Sequence, residues 1–505
     1  MKKRVLSILL AATFTVSMFA GATIVSAAEN EATEETASTG GFDITVNLAS
    51  EPQTMDPALN TASDGSNMAN HLFEGLMKWE DSGVEVNGSD GTANSAQLVP
   101  GQAESYEKTE NEDGTVTYTF KLRDGIKWSD GKDVTAGDFE YSWKRLVDPA
   151  TAADYSYMLD CVVNANEIIA GEKDPSELAV KAVDDKTFEV TLVNDLPYFE
   201  ELCAFPAMMP VRQDIIEEAG DNWTFDVSTY ISNGAYKMKE WTHNSQIVVE
   251  KNENYYDYEK LGPDTITFKL MDNQNAMLSG FNSGEIDFIE DVPQAEIANL
   301  IASGDMKIVD YIGTYYVCFQ NQKAPFDDAR VRKAFSLAID RTYIVNQVTQ
   351  SGQVEAGGYV PAGVYDAEGA TGDDFRTVGG DYYKPTDADY EANCEEARAL
   401  LAEAGYPDGE GFPVVEYLYN TSDAHKAVAE ALQYMWEEEL GVKVTLNNQE
   451  WAAFLQTRKD GDYSIARNGW IADYNDPISF LDMWLTGGGN NDAQYSNEEY
   501  DSLIR

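Results

Sequence analysis

An α/β fold divided between more than one lobe is what this sequence predicts, and three observations predict it. Short β-branched strands alternate with amphipathic helices along the chain, the pattern of α/β lobes rather than of segregated layers. At 505 residues the chain exceeds what one hydrophobic core serves, so two or three lobes are expected. An apolar content of 43% and an aromatic content of 11% suffice to fill such cores. No internal repeat is present.

Taken in order, Met1–Ala28 has the build of a secretory signal. Lys2, Lys3 and Arg4 precede a largely apolar Val5–Val25, and Val25–Ala28 offers small residues for cleavage. The acidic run Glu29–Glu35 follows without basic stop-transfer residues, which argues against a membrane anchor, and no other segment is apolar enough to span a bilayer. Residues 29–41 form an acidic tail too polar to pack and expected to be disordered. Asp43–Leu48 reads as a strand, and Val116–Leu122 alternates as a half-buried strand should. Thr135 is expected to cap a helix starting near Gly137, and Thr187–Val193 is a further strand. Gln246–Lys251, Thr265–Leu270 and Thr314–Phe319 are expected as strands of one central sheet. Asp328–Leu337 and Asp389–Ala404 read as helices, the second stopped by Gly405. Ala424–Glu439 is a helix opened by Thr421–Asp423, Val442–Leu446 is a strand, and Glu498–Arg505 is helix-like.

Composition excludes several classes. The net charge of −53 argues against nucleic acid or an anionic membrane as partner. Most of it reads as a solvated acidic surface, and attraction of cationic ligands is the second reading. Three scattered histidines make a metal site unexpected. Cys161, Cys203, Cys318 and Cys394 fit no metal spacing, and sequence cannot choose among their three disulfide connectivities; unpaired buried thiols are expected for most of them. Because Cys161 is the first cysteine after the signal, no thiol stands at the cleavage site for lipid attachment, so the product is expected to be soluble, in a periplasm or outside the cell. There is no Gly-x-x-x-x-Gly-Lys loop, no Gly-x-Ser-x-Gly and no His-Glu-x-x-His. An exported glycosidase would need two carboxylates flanking its bond, but among 88 acids such pairs can be drawn at will and carry no weight. No catalytic residue and no cofactor are expected.

Residues 466–477 are the most informative stretch. Arg467, Trp470 and Asp473 lie within seven positions. A zwitterionic peptide needs such a set: a carboxylate for its ammonium, a guanidinium for its carboxylate and an aromatic wall between. The Gly-Trp-Ile backbone can pair with it as an added strand. Alone, such a trio is more often one ion pair and one core aromatic.

The neighbouring blocks resemble those of oligopeptide-binding proteins, the solute receptors of peptide ABC importers. The resemblance runs from about Phe42 to Arg505. Leu48–Pro57, His71–Leu76, Asn233–Tyr236 and Asn321–Asp340 resemble family blocks, with His71–Leu76 in the first helix. Tyr118–Trp143 matches the signature of the whole superfamily, which includes receptors for nickel, haem, opines and sugars. Tyr419–His425 and Arg467–Pro477 are those of the oligopeptide branch, and Asn448–Phe454 leads toward the second of them.

The resemblance implies a two-lobed periplasmic-binding-protein fold with an additional peptide-receptor lobe, closing about a hinge. Residues 42–73 and 213–312 would form lobe I, 74–212 lobe II and 313–505 lobe III, with lobe III and the final return into lobe I cut short at Arg505. It further implies that Asp473 fixes a peptide's ammonium, while Arg467 and His425 receive its carboxylate at different lengths. For Asp473 the alternative is a turn-stabilising Asp, for Arg467 an intralobe salt bridge, and for His425 a surface residue at a helix start. Trp451, Trp470, Tyr155 and Tyr316 would line side-chain pockets, although aromatics are more often core. Ala62, Ser63 and Gly469–Ile471 would pair with the peptide backbone from opposite lobes. Three positions depart from the best-matching receptors: Thr61 and Cys318 replace acids, and Thr349 replaces a carboxylate-binding Lys. The family's disulfide positions are Gly313 and Ile471 here. The expected partners are peptides of about 2–5 residues and a permease with cytoplasmic ATPases, the receptor itself being a monomer. A same-fold receptor for a sugar, chelate or haem, and a secreted peptide scavenger or sensor, are the alternatives.

Overall fold

The computed structural model of the chain describes residues 41–85, 94–365 and 372–505. The expected signal at Met1–Ala28 and the acidic tail up to residue 40 lie outside the described residues.

The described strands form three four-stranded sheets and a two-stranded ribbon. In the first sheet Asp43–Ala49 runs parallel to Thr265–Leu270, followed by antiparallel Gln246–Lys251 and Tyr236–Thr242. Thr265–Leu270 turns Ile266 and Phe268 into the core, while Ile247, Val248 and Val249 are buried in succession, as expected of an inner strand covered on both faces. The second sheet is an antiparallel set ordered Ala103–Glu110, Val116–Leu122, Thr187–Leu192, Val180–Asp184. The third orders Gly313–Phe319, Ile465–Ile471, Val415–Asn420 and Val444–Gln449, with the first pair antiparallel and the others parallel.

This arrangement corrects one expectation. Gly313–Phe319 does not share a sheet with Gln246–Lys251 and Thr265–Leu270; it pairs with Ile465–Ile471, about a hundred and fifty residues later. All three segments alternate alike, and alternation reports a buried face without naming the partner strand. A smaller correction concerns the first helix, which spans Ser63–Leu72 and so includes only the start of His71–Leu76. The chain leaves the helix at Phe73, which is extended, and Gly75 beyond it lies so close to the Cys203 carbonyl that a Cβ would sit 2.3 Å from it.

Helix termini follow local chemistry. Ala136–Val147 opens with a capping box: the Thr135 amide donates to Asp138 Oδ2 at 2.8 Å. Its apolar positions Phe139, Trp143, Leu146 and Val147 recur at helical spacing and are all buried. Ser422 caps Asp423–Leu440, which ends at Gly441 in the left-handed conformation.

Core packing divides the molecule into two bodies. One continuous cluster joins Val46, Ile266 and Phe268 of the first sheet to Tyr118, Phe120 and Phe188 of the second. A separate cluster, including Phe319, Phe335, Tyr417 and Trp436, fills the third-sheet body. The chain passes from one to the other through residues 284–312. All four cysteines are free and buried. No described helix is long and apolar enough to cross a membrane.

Candidate functional site

The site lies where the two bodies meet, along the strand Ile465–Ile471. Gly313–Phe319 covers one edge of this strand along its whole length, but Val415–Asn420 covers the other only at Ile465 and Ala466. The Ala472 amide donates to the Ile312 carbonyl at 3.0 Å, which sets the ladder's alternation. Arg467, Gly469 and Ile471 therefore turn their main-chain groups toward the uncovered edge. The Gly469 amide donates to Asn468 Oδ1 at 2.8 Å, leaving the remaining groups of this edge for an incoming strand.

Past one end of that edge stands Asp473. The residue is 8% exposed, its amide donates to Ser479 Oγ at 2.8 Å, and its Oδ1 accepts from the Tyr155 hydroxyl at 3.2 Å. No cation forms an ion pair with it among the described residues. Burial, and then the charge of Asp482, push its carboxyl well above the usual carboxylate range. Trp470 is anchored by its indole N–H on the Ser479 carbonyl at 2.6 Å, with its ring 6.2 Å from that of Tyr155.

At the other end stands Arg467. Its Nε donates to Asn420 Oδ1 at 2.7 Å, and the guanidinium sits 5.5 Å from the Trp451 ring and 5.9 Å from the Tyr315 ring. No carboxylate pairs with it among the described residues, so its fork is held in place by stacking and one amide. Burial lowers its proton affinity, as does the charge of Arg458. His425, in the first turn of Asp423–Leu440, shares a 3.3 Å hydrogen bond between Nδ1 and the Tyr315 hydroxyl. Burial, reinforced by Arg467, pushes the imidazole well below its ordinary value, so it is neutral at pH 7. The structure thus brings Arg467, His425 and Trp451 together, and separately Asp473, Trp470 and Tyr155. Six residues of near-extended chain, roughly 20 Å, separate the two groups.

The remaining expected residues fall around these. Tyr316 packs edge-on against Tyr359 at 5.1 Å and Trp484 at 5.8 Å. Ala62 and Ser63 lie at the start of the helix Ser63–Leu72, across from the third-sheet body. The Ala62 amide bonds Asn60 Oδ1 at 3.3 Å and its carbonyl accepts from Asn60 Nδ2 at 2.9 Å, so ligand pairing there competes with bonds already made. Gly313 and Ile471 face each other directly across the ladder.

Several functional groups escape sequence reasoning. Asp64, whose carboxyl burial pushes up to about 6, accepts from the Trp451 indole across the gap between the bodies at 3.0 Å. Lys459 reaches Asp154 at 2.5 Å, the Asn475 amide donates to Glu201 at 2.9 Å, and Asn490 donates to the Tyr157 hydroxyl at 3.2 Å. Tyr198 and Tyr474 stack at 4.3 Å with their planes 8° apart. All of these join the two bodies, and none has a local signature. Tyr315 had one: in a strand that also holds Tyr316, alternation must turn one of the two outward.

Comparisons with known proteins agree with this geometry. Residues 97–492 match the model of the bacterial extracellular solute-binding proteins, family 5. The periplasmic oligopeptide-binding protein OppA of Salmonella typhimurium is 40% identical over 463 residues, which cover 91% of this chain and 80% of that protein. The crystal structure of Haemophilus influenzae OppA in complex with the peptide RPPGFSPFR superposes with a TM-score of 0.82 at 35% identity, covering 92% of this chain and 86% of that one. The murein tripeptide binding protein of Escherichia coli gives a TM-score of 0.81 at 32% identity, over 92% of this chain and 86% of that one. Its unliganded open form, covering 92% and 85%, gives 0.56 at 32% identity, so the arrangement of the bodies here is unlike the open one.

Proposed function

The chain belongs to the bacterial extracellular solute-binding proteins of family 5, and from that membership we infer that it is the substrate-binding protein of a peptide importer. It captures short peptides in an extended conformation between its two closing bodies and delivers them to the permease of an ABC transporter. The observation that carries this reading is one open strand edge with an unpaired carboxylate, Asp473, beyond one end and an unpaired guanidinium, Arg467, at the other. Asp473 takes the peptide's ammonium, Arg467 and His425 its carboxylate, and Gly469 and Ile471 pair with its backbone. Trp470, Trp451, Tyr155 and Tyr316 wall the side-chain pockets. Ala62 and Ser63 supply the opposite wall, where pairing displaces a bond to Asn60.

Main-chain pairing ignores side-chain identity, which suits a receptor for many sequences. Mass spectrometry of what the purified protein releases on denaturation tests the reading. A ladder of short peptides supports it, whereas a sugar, chelate or haem assigns the chain to a same-fold receptor for another solute.

Finer parts of the proposal have their own tests. The protein binds without catalysis, so incubated peptides should be recovered intact. It works as a monomer of three lobes, residues 42–73 with 213–312, 74–212 and 313–505, with the first two packed as one moving body. It is exported, with the mature chain starting near Ala28 or Glu29 and carrying no lipid. Amino-terminal sequencing that returns Met1, or partition of the mature protein into detergent, contradicts that. Peptides of two to five residues are the preferred cargo; the nonapeptide bound by the Haemophilus influenzae relative is the case to test against.

A further inference from the structure

One hydrogen bond joins the helix Ser63–Leu72 of the first body to the helix Trp451–Lys459 of the second. The Trp451 indole N–H donates to Asp64 Oδ2 at 3.0 Å, and Asp64 Oδ1 accepts from the Gly65 amide at 2.9 Å. Asp64 is 7% exposed, and no cation pairs with it among the described residues. The ionisable groups around this contact are engaged elsewhere. Glu450, next to Trp451, meets the Thr421 hydroxyl at 3.3 Å, while Arg458 pairs with Asp492 and Lys459 with Asp154. Arg467 stands 5.5 Å from the Trp451 ring and is held by Asn420. The other ionisable residue of the first helix, His71, is buried and pushed down to about 4, so it is neutral. Burial raises the Asp64 carboxyl to about 6, against the opposite pull of its amide hydrogen bonds and of the indole.

An asparagine would accept the indole as well and bury no charge. What the carboxylate adds is a cost: closure takes its oxygen from water to a single neutral donor of the other body. Opening removes the indole and returns that oxygen to water. We propose that Asp64 is a positioning residue that sets the threshold of closure: its bond to Trp451 clasps the bodies together, while its charge restrains them from closing without cargo. The clasp holds the ring that stands beside Arg467, so it acts on the peptide site through Trp451. The closed form keeps the Asp64 proton more tightly than a solvated carboxyl near 3.9 does. The restraint is therefore full above about pH 6 and relaxes as pH falls below it. The clasp itself needs only closure, whereas its effect on affinity rests on the peptide reading.

The test measures binding of trialanine to the full chain by calorimetry at pH 8 and pH 5, wild type against Asp64→Asn. The variant keeps the acceptor and drops the charge, so at pH 8 it should bind roughly 10- to 100-fold more tightly. That advantage should shrink about tenfold by pH 5, where the wild-type carboxyl is mostly protonated in the closed form. Taking the ratio of the two proteins cancels Asp473, whose titration they share. Asp64→Ala drops charge and acceptor together and should bind about 2- to 10-fold more weakly than Asp64→Asn, the worth of the clasp. Tetra-alanine should give the same ratios, because Asp64 acts on closure and not on length. Asp64→Ser repeats the measurement if Asp64→Asn does not fold. An uncharged variant no tighter than the wild type at pH 8, an advantage that does not change with pH, or Asp64→Ala equal to Asp64→Asn overturns the proposal. If neither peptide binds any of these proteins, the peptide reading falls, and small-angle scattering of the ligand-free proteins judges the clasp. Asp64→Asn should then be the more compact at pH 8, and equal radii of gyration overturn it.

Discussion

Asp473 places a carboxyl where burial opposes its charge, and on the proposed reading a ligand ammonium relieves this. N-acetylation of the peptide removes that ammonium, and a hydrogen bond to a charged group is worth about 1.5–3 kcal/mol. Wild-type affinity should thus fall roughly 10- to 100-fold on acetylation. Asp473→Ala should weaken free-amine peptides far more than acetylated ones; calorimetry that finds the wild type indifferent to acetylation sinks the assignment. The same carboxyl predicts a pH effect. Its proton affinity is raised in the closed form relative to a solvated carboxyl near 3.9, so the closed form binds the proton more tightly. Ligand-free closure should become more populated as pH falls and less as it rises, read by small-angle scattering. At the far end, Arg467 and the neutral His425 stand on different elements, a strand and the first turn of a helix, and an extended peptide advances about 3.3 Å per residue. His425→Ala should harm longer alanine-rich peptides and Arg467→Ala shorter ones, and if both weaken every length alike, the two residues are structural. Arg467 and Asp473 were legible as candidates because they sit close together in one motif. Asp64 and Lys459 were not, since their partners are brought to them only where the two bodies meet, and Asn420 was not, since its partner Arg467 reaches it only through the sheet's long-range pairing.

At the scale of elements, most strands and helices were readable from alternation and caps: Thr135, Asp328 and Gly405 mark helix ends within a residue or two of where they occur. The partner of a strand was not readable, and the misassigned Gly313–Phe319 shows why. Its alternation fits any sheet with one buried face, and only the chain's long return to Ile465–Ile471 decides which. The register of that pair makes a test. Gly313 and Ile471 are direct neighbours in a position where the Cα atoms of opposed antiparallel residues lie about 4.5–5.5 Å apart, inside the window a disulfide spans. A Gly313→Cys, Ile471→Cys double variant should oxidise fully, shown by thiol titration and a mass lower by two hydrogens. It should gain about 2–4 kcal/mol of stability, and with both residues in one body it should still close. Failure to cross-link under oxidising conditions would mean that the register, and the open edge deduced from it, is wrong.

For the whole molecule, binding and closure share one free energy. Apparent affinity is the intrinsic affinity scaled by the fraction of molecules able to close, so a change that opposes closure alone should weaken every peptide equally, whatever its ends or length. The Lys459–Asp154 contact is a weak tool for this: the Lys459 side chain is half exposed, and such pairs are worth roughly 0–1 kcal/mol. Gly489 is a better one. It lies on the third-sheet body against the backbone of Asp154 on the other, and a Cβ there would stand 2.3 Å from the Asp154 carbonyl oxygen and 2.6 Å from its Cα. Backbone cannot swing aside as a long side chain does, and the collision exists only while the bodies are together. Gly489→Ala should leave the unfolding midpoint of the ligand-free protein nearly unchanged. Overpacking of this kind costs about 1–3 kcal/mol, so affinity for dipeptides, tripeptides and longer peptides alike should fall by a common factor of roughly 10 to 100. Scattering at subsaturating peptide should show a larger radius of gyration than the wild type at the same concentration. A loss confined to one peptide length would move Gly489 from the closure interface into the binding site, and unchanged affinity would show that the contact between residues 154 and 489 is absent from the peptide-bound form.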